Sequence, residues 1–390
     1  MKRILFIIEH LDSNGAERSL IDLLNQIDYR KYYVDLLLIQ KLGDSIDEIP
    51  KQVHVHLHSL NNAFGAFIPC TIKAICRMDF FSLVFRIIYM IAVRFGWRKL
   101  TLAKALFPDL RNEYDAVIAY RHSICTDFAA YLFNAKKRIG WWHHGMAPES
   151  SDHLARINQA YSEMTNVVAV SECSAEIVKK CFPNAREKLC IIPNMICVNE
   201  LERKAALGFE ITQKQKGKTC IVSVGRLDIE KNMTFCVEVG KELYRRGVEF
   251  KWFMIGDGQE KNRIEQMIKD YKLESCFSVT GRLTNPYPFI KQADIFFHPS
   301  LVESQGIAIL ESMALGTPVV AVDSLGPKEY IQNGTNGILI SPNVSEAATK
   351  IIYLINNPSK RAEIAEEAAK TVLDYRPQKA ICLFDQLMNQ

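Results

Sequence analysis

A chain of 390 residues is longer than one hydrophobic core normally supports, so its length favours two domains. Hydrophobic residues make up 48% of the chain and charged residues 24%, a composition that excludes an intrinsically disordered protein. The formal net charge of +4 is too small for a surface that is basic throughout, so any basic binding site has to be local.

The cysteines and the apolar segments indicate a protein that stays in a reducing compartment. The eleven cysteines are an odd number and include no Cys-x-x-Cys pair. The apolar run at residues 4–8 is shorter than the core of a signal peptide. The longest apolar window, residues 80–95, contains Arg86 and Arg94, whose charges are costly inside a bilayer. We therefore expect a cytoplasmic location, with peripheral attachment to the inner face of the plasma membrane as an option, and no transmembrane helix.

Short apolar runs alternate with helical segments along the first half of the chain. RILFII is followed by AERSLIDLLNQI and YDAVIAY by SICTDFAAYLF, and further apolar runs are YYVDLLLI, KRIGWW, NVVAVS and KLCIIP. Continuous apolar strands joined by helices predict a parallel sheet covered on both faces, which is the α/β doubly wound architecture.

The segment at about 199–219 is polar and rich in lysine, so it predicts a linker or domain boundary. The alternation restarts after it, with TCIVSVGRL, EFKWFMIGDG, CFSVTGRL, DIFFHPS, PVVAVDS and GILISP as successive apolar runs. Two doubly wound domains in tandem predict a ligand-binding cleft between the carboxyl ends of their sheets.

Two cations follow the first strand of the second half. Arg226 comes directly after Gly225, and Lys231 lies five residues further on, a placement that suits two positive charges on one diphosphate. A surface turn with solvated cations is the alternative. Gly256 and Gly258 in FMIGDG are only a weak phosphate signal, because a lone Gly-x-Gly is often a tight turn.

Two acids in HPSLVESQGIAILES flank the start of a predicted helix at Gly306. Glu303 is predicted in the loop before this helix, and Glu311 in its second turn. Free amides and the positive end of the helix dipole suit a phosphate, while the carboxylates accept hydrogen bonds from hydroxyl groups. A nucleotide sugar carries this arrangement of groups. A solvated loop acid and a helix-surface acid would show the same spacing.

The order of these motifs resembles glycosyltransferase family 4, whose members have the GT-B fold of two facing Rossmann-like domains. The resemblance runs through NGAERSL, VSECSAE, IIPNM, VGRLDIEKN, IGDG, VTGRL, HPSLVESQGIAILESMALGTPVVA and GPKEYIQNGTNGILI. It implies an acceptor-binding domain over residues 1–195 and a donor-binding domain over residues 196–372. It also implies a C-terminal helix, residues 373–390, that packs back on the first domain.

The resemblance implies roles for individual residues. Arg226 and Lys231 would bind the donor diphosphate. Glu303 would bind hydroxyls of the transferred sugar, and Glu311 would bind the ribose diol. The backbone that would face the phosphates and the sugar comes from Gly15 in the first domain and from Gly225, Gly256, Gly306, Ile307 and Ala308 in the second.

The chain departs from the family pattern at two places. The family usually has Gly-Phe-Gly after the first acid, where this chain has Ser304-Gln305-Gly306. We expect Gln305 to present amide donors near the sugar and to affect which sugar is preferred. A paired glycine near the start is here Asn14-Gly15, a mild change because Asn tolerates the left-handed backbone nearly as well as Gly.

The strand KRIGWW is followed by His143 and His144, where the family commonly has a histidine near the reactive carbon of the sugar. Adjacent residues on a strand point to opposite faces, so only one of them can face the cleft. His143 fits the family spacing better, and His144 is the alternative. Without the resemblance, a histidine at a strand end is more often structural.

Residues 60–107 form a basic segment with aromatic residues in between and with Asp79 as its one acid. The basic residues are Lys73, Arg77, Arg86, Arg94, Arg98, Lys99 and Lys104. Two interpretations fit about equally well: an amphipathic surface that lies on anionic lipid, and helices that pack their aromatic residues into the first domain.

Three histidines in VHVHLH, at positions 54, 56 and 58, share one face of a predicted strand. A half-exposed polar face explains them better than a metal site.

The sequence therefore predicts a retaining glycosyltransferase that moves a sugar from a nucleotide-sugar donor, expected to be a UDP-sugar, to a lipid-linked glycan. Synthesis of capsule, exopolysaccharide or O-antigen is the expected setting. We expect no metal, no other cofactor and no nucleic-acid partner. The alternatives are a nucleotide-sugar epimerase or a phosphorylase on the same scaffold, and a non-catalytic subunit that binds sugar nucleotides.

Overall fold

The structure is a computed structural model, and it describes residues 1–12, 15–60, 79–110, 113–207 and 217–390. These residues form two compact units. The first unit comprises Met1–Pro193 and Ile381–Gln390, and the second comprises Asn194–Ala380. The sequence predicts these boundaries between residues 195 and 196 and between residues 372 and 373. Each unit contains a parallel sheet whose strands alternate with helices along the chain, which confirms the predicted pair of Rossmann-like domains.

The first unit has a seven-stranded sheet in the order β3-β2-β1-β4-β5-β6-β7. Its strands are β1 (Lys2–Ile8), β2 (Tyr32–Leu38), β3 (Val53–Leu57), β4 (Tyr114–Ala119), β5 (Ala135–Trp142), β6 (Asn166–Ala169) and β7 (Leu189–Ile191). The apolar run at residues 4–8 is fully buried because β1 lies between β2 and β4, near the middle of the sheet. This strand accounts for the run that superficially resembles a signal peptide.

Helices connect these strands. The α-helices that the structure describes here are Gly15–Gln26, Phe80–Phe95, Ile124–Asp127, Ser151–Ser162 and Glu172–Cys181. Short 3-10 segments occur at Ile46–Glu48, Trp97–Leu106, Pro108–Leu110 and Pro183–Lys188, and a π-helical turn at Phe128–Leu132.

The C-terminal helix Pro377–Asn389 contributes its last residues to the first unit. Phe384 is fully buried there, and its ring stacks on Phe6 with 6.3 Å between ring centroids. The Tyr32 hydroxyl donates a hydrogen bond of 2.7 Å to Asp385. The end of the chain is thus part of the first core.

The second unit has a six-stranded sheet in the order β10-β9-β8-β11-β12-β13. Its strands are β8 (Thr219–Val224), β9 (Phe250–Ile255), β10 (Phe277–Gly281), β11 (Ile295–His298), β12 (Val319–Val322) and β13 (Ile338–Ile340). Its described helices are Val198–Ala206, Thr234–Arg245, Lys261–Asp270, Tyr287–Gln292, Ile307–Ala314, Val344–Asn356 and Pro358–Thr371, with 3-10 segments at Pro327–Glu329 and Val372–Tyr375. The strand order reverses between β8 and β11, which makes this pair the switch point of the sheet.

The predicted linker at about 199–219 is wrong over its first part. Val198–Ala206 is a helix that buries Leu201 and Ala205, while Arg203 pairs with Glu200 on the solvent side. The charged residues thus belong to the exposed face of an amphipathic helix, and they hide the spacing of its two buried apolar residues. Residues 208–216 lie outside the described part of the chain.

Several absences apply to the described residues. None of their helices is long and apolar enough to cross a membrane. The cysteines among them are all free thiols.

The histidines of VHVHLH have separate partners: His54 stacks on Tyr33, His56 contacts Asp35 at 3.0 Å, and His58 packs on phenylalanine rings.

Candidate active site

The switch point of the second sheet brings together residues that are far apart in the sequence. β8 leads into the loop that carries Arg226 and Lys231, and the neighbouring strand β11 leads into the loop that carries Glu303. Ligands of open α/β sheets bind outside the carboxyl ends of strands at such a reversal. The Lys231 ammonium lies 2.5 Å from Glu303 Oε1, so the two loops meet in a direct ion pair.

Glu303 is buried and has a second partner that the sequence did not reveal. His298, the last residue of β11, is also buried, and its Nε2 lies 2.8 Å from the same oxygen, Glu303 Oε1. Burial alone would raise the pKa of the Glu303 carboxyl, but Lys231 and His298 outweigh burial and hold this pKa well below its usual range. Glu303 is therefore a carboxylate at neutral pH, and both contacts leave Oε2 for a ligand.

Arg226 is paired with acids of its own loop. Its side chain is half exposed, with one guanidinium nitrogen 2.7 Å from Asp228 and another 3.4 Å from Glu230. Asp228 also accepts a hydrogen bond of 2.9 Å from the Lys231 backbone N–H. A bound diphosphate would compete with these carboxylates for the guanidinium, and the acids hold the loop in shape until then.

The helix Ile307–Ala314 begins where the sequence predicts. Gly306 has φ +79° and ψ +59°, a left-handed conformation that glycine adopts without strain. No side chain caps this helix start, so its first amides, those of Ile307 and Ala308, are suited to an anion. Glu311 lies in the second turn, as predicted, where it is buried and accepts a hydrogen bond of 2.7 Å from the Tyr287 hydroxyl.

Gln305 does not present its amide to a sugar, and that expectation is wrong. Its side chain is buried, and Oε1 accepts hydrogen bonds from the backbone N–H and the side-chain amide of Asn194, at 3.0 Å and 2.6 Å. Its own amide donates to the Asn194 carbonyl at 3.4 Å. Asn194 is the first residue of the second unit, so Gln305 fastens the loop before the helix to the start of this unit.

The other side of this loop is also held. The Tyr330 hydroxyl donates a hydrogen bond of 2.8 Å to the carbonyl of Gln305. A Cβ on Gly326 would lie 2.7 Å from the backbone of Ser304, so a glycine is needed where these segments pass. Contacts on several sides therefore fix the loop that carries Glu303.

Gly256 has a structural reason of its own. Its φ is +153°, and a Cβ there would lie 1.8 Å from the Gly225 carbonyl oxygen. A Cβ on Gly258 would likewise lie 2.3 Å from the Leu227 carbonyl oxygen. These glycines let the ends of β8 and β9 approach closely. Contact of Gly225 or Gly256 with a phosphate stays a prediction.

In the first unit, one tyrosine contacts both His143 and the first helix. Tyr120, just after β4, lies 4.9 Å from the His143 ring between centroids, and its hydroxyl is 2.9 Å from the Ser19 hydroxyl. Ser19 belongs to the helix that begins at Gly15. Asn14 lies outside the described residues. His144 is on the opposite side of β5, where its ring packs on His122 at 4.1 Å.

His143 is a neutral imidazole at physiological pH. Burial, together with the nearby charges of His144 and Arg121, lowers the pKa of His143 to about 3. Its Nε2 is buried and has no hydrogen-bond partner among the described residues. The ring can therefore exchange hydrogen bonds with a hydroxyl group, but it supplies no positive charge.

The Gln305–Asn194 hydrogen bonds can be tested by substitution. Gln305→Leu keeps most of the side-chain volume and removes three hydrogen bonds, so we expect the free energy of unfolding of the second unit to fall by about 1–3 kcal/mol. Gln259→Leu is the matched control, because Gln259 is exposed. Denaturant unfolding that gives the same small change for both variants would contradict the structural role of Gln305.

The neutral state of His143 predicts a pH dependence of stability. Its folded pKa of about 3 lies below the ordinary 6.5, so between these values the unfolded chain binds a proton that the folded chain does not. The free energy of unfolding should therefore fall as the pH falls below about 6.5, by at most about 1.4 kcal/mol per pH unit for this group.

His143→Phe keeps an aromatic ring and removes this titration. We expect the loss of stability between about pH 7 and about pH 5 to be smaller in this variant than in the wild type, measured by denaturant unfolding. His54→Phe, at an exposed histidine, should behave like the wild type. An unchanged pH dependence in His143→Phe would show that His143 is not kept neutral.

Comparison with known proteins shows which proteins the chain resembles. Residues 207–371 match the family model described as "Glycosyl transferases group 1". A curated relative, the alpha-D-kanosaminyltransferase of Streptomyces kanamyceticus, is 32% identical over 152 residues, which cover 38% of this chain and 39% of the relative. The alignment thus spans well under half the length of this relative.

Two further proteins resemble more of the chain. The alpha-monoglucosyldiacylglycerol synthase of Acholeplasma laidlawii is 25% identical over 292 residues, 70% of this chain and 69% of that protein. The crystal structure of Anabaena Alr3699/HepE in complex with UDP and glucose superposes with a TM-score of 0.74 over 100% of both chains, at 18% identity. The chain therefore has the GT-B fold, and its match to the glycosyl transferase group 1 model covers residues 207–371, within the second unit.

Proposed function

We propose that the protein is a glycosyltransferase that transfers a sugar from a UDP-sugar to an acceptor hydroxyl, with the donor bound by the second unit. The observation that carries this proposal is the Lys231–Glu303 ion pair at the β8/β11 switch point. Glu303 lies in the loop before the helix Ile307–Ala314, whose start has no side-chain cap. The name of the Anabaena structure, which includes UDP and glucose, supports the choice of donor.

Each donor group has a complementary group in the site. Arg226 and Lys231 would bind the diphosphate, together with the first amides of the helix. Glu303, a carboxylate with Oε2 outside its ion pair, would accept hydrogen bonds from hydroxyls of the sugar. Glu311, which Tyr287 holds in place, would accept hydrogen bonds from the ribose diol.

The proposed reaction retains the configuration at the reacting carbon, as in family 4. The acceptor oxygen bonds to this carbon on the face from which UDP leaves, the bond from the carbon to the phosphate oxygen breaks, and that oxygen takes the acceptor proton. Charge develops on the leaving diphosphate, where Arg226, Lys231 and the helix start stabilise it. These groups already supply positive charge, so we propose a metal-independent reaction without a cofactor.

The first unit would bind the acceptor. Neutral His143 suits a hydrogen bond with a hydroxyl group near the reacting carbon, and Gly15 begins the helix whose start would approach the phosphates. We propose a lipid-linked glycan as acceptor, at the cytoplasmic face of the membrane, in synthesis of a surface polysaccharide such as capsule. The relative from Acholeplasma laidlawii, named for a diacylglycerol product, supports a lipid acceptor.

A donor screen followed by product analysis tests this proposal. UDP-sugars should raise the thermal unfolding midpoint, and the best of them should yield a glycosylated product with a lipid-linked extract. If the protein isomerises the sugar nucleotide in the absence of an acceptor, its activity is epimerisation and not transfer. Calorimetric binding of the donor with no transfer to any acceptor in the extract would indicate a non-catalytic subunit.

The role of the Lys231–Glu303 pair is best tested with both charges removed. Lys231→Met alone leaves the buried Glu303 carboxylate without its main counter-charge, which costs about 3–5 kcal/mol for a fully buried pair and confounds activity with folding. The double variant Lys231→Met/Glu303→Gln avoids this, so it should unfold like the wild type and lose about 10²–10³-fold in turnover.

Lys370→Met is the control, since Lys370 is exposed and pairs with helix-surface acids. Its turnover should equal that of the wild type. A folded double variant with wild-type turnover would remove Lys231 and Glu303 from the mechanism.

A further inference from the structure

The helix Phe80–Phe95 is apolar on two opposite sides. One side belongs to the core of the first unit, where Phe85 and Ala92 are completely buried. The other side carries Phe80, Val84 and Ile87, which are 66%, 42% and 47% exposed. A helix buried on one side normally places polar residues on the other, so this second apolar side needs an explanation.

The exposed residues form a continuous surface. Positions 80, 84, 87, 91 and 95 are three or four residues apart and so lie along one side of the helix. Phe95 ends this stripe and is 71% exposed, and Met90 borders it. We call Phe80, Val84, Ile87, Ile91 and Phe95 the apolar stripe. Leu102, in the following 3-10 segment, is also exposed.

Positive charge accompanies the apolar stripe. Arg94 and Lys99 are exposed, and the sequence has no Asp or Glu from residue 80 to residue 108. Arg98 is exposed as well and pairs with Glu163 at 3.0 Å. Arg86 is buried, so it does not belong to the basic surface expected from the sequence. Lys73 and Arg77 lie outside the described residues.

The aromatic residues of this segment divide between the two interpretations that the sequence left open. Phe81, Tyr89 and Trp97 pack against the core, as the structural interpretation requires. Phe80 and Phe95 remain in water at the two ends of the apolar stripe. The helix is therefore anchored in the domain on one side and exposes apolar side chains on a second side.

We propose that the apolar stripe docks on an anionic phospholipid bilayer, with the helix in the plane of the interface. At 16 residues the helix is about 24 Å long, too short to span the hydrocarbon core, but suited to lie at its boundary. Exposed Arg94 and Lys99 next to the stripe, with no acid in the segment, complement anionic headgroups. This inference does not depend on the proposed activity.

Vesicle co-sedimentation of the full chain tests the inference. The wild type should bind vesicles of phosphatidylcholine with about one-third phosphatidylglycerol, bind pure phosphatidylcholine more weakly, and lose binding as the salt concentration rises. Val84→Glu/Ile87→Glu should weaken binding to the anionic vesicles about ten-fold or more. Leu373→Glu, at an exposed leucine of the second unit, is the control and should bind like the wild type.

Two results would overturn the inference. The first is that the wild type does not bind anionic vesicles. The second is a dimer in analytical ultracentrifugation that Val84→Glu/Ile87→Glu dissociates, because this would assign the stripe to a second copy of the chain. Unfolding curves verify that the variant is folded, and Arg94→Gln/Lys99→Gln provides a second, milder variant that should weaken only the anionic binding. Donor binding by calorimetry should be unchanged in all these variants, so a failure here is separate from a failure of the proposed function.

Discussion

The buried carboxylate of Glu303 is the constraint on which the second unit's site depends. A buried charge is stable only with partners. These are Lys231, in the loop after β8, and His298, at the end of β11. This arrangement ties two loops together at the point where the strand order reverses. It also fixes the backbone that leads into the helix Ile307–Ala314, where an anion can be bound.

The same loop is held by contacts that carry no charge. Gln305 is fastened to Asn194, Tyr330 holds the carbonyl of Gln305, and Gly326 allows a neighbouring segment to pass against Ser304. The geometry of the proposed binding site is therefore largely present without a ligand, which would reduce the ordering cost of binding. In the proposed complex, the Lys231–Glu303 pair would rearrange as a diphosphate and a sugar hydroxyl take over its contacts.

The sequence predicted the parts of this structure that depend on local patterns. Apolar runs identified the strands, and Gly306 with its flanking acids identified the start of the helix and the positions of Glu303 and Glu311. The helix Val198–Ala206 was missed because its two buried apolar residues stand among charged ones, a composition that resembles a linker. Contacts across 5, 24 and 111 residues leave no local pattern, so His298, Tyr287 and the true partner of Gln305 required the structure.

The proposed function requires that the β8/β11 switch point binds the diphosphate of a nucleotide sugar. A crystal structure of the protein with UDP would show whether this contact forms. We expect diphosphate oxygens within hydrogen-bond distance of Lys231, Arg226 and the amides at the start of the helix Ile307–Ala314, with the ribose hydroxyls on Glu311. UDP bound elsewhere, with the Lys231–Glu303 pair unchanged, would show that the switch point is not the donor site.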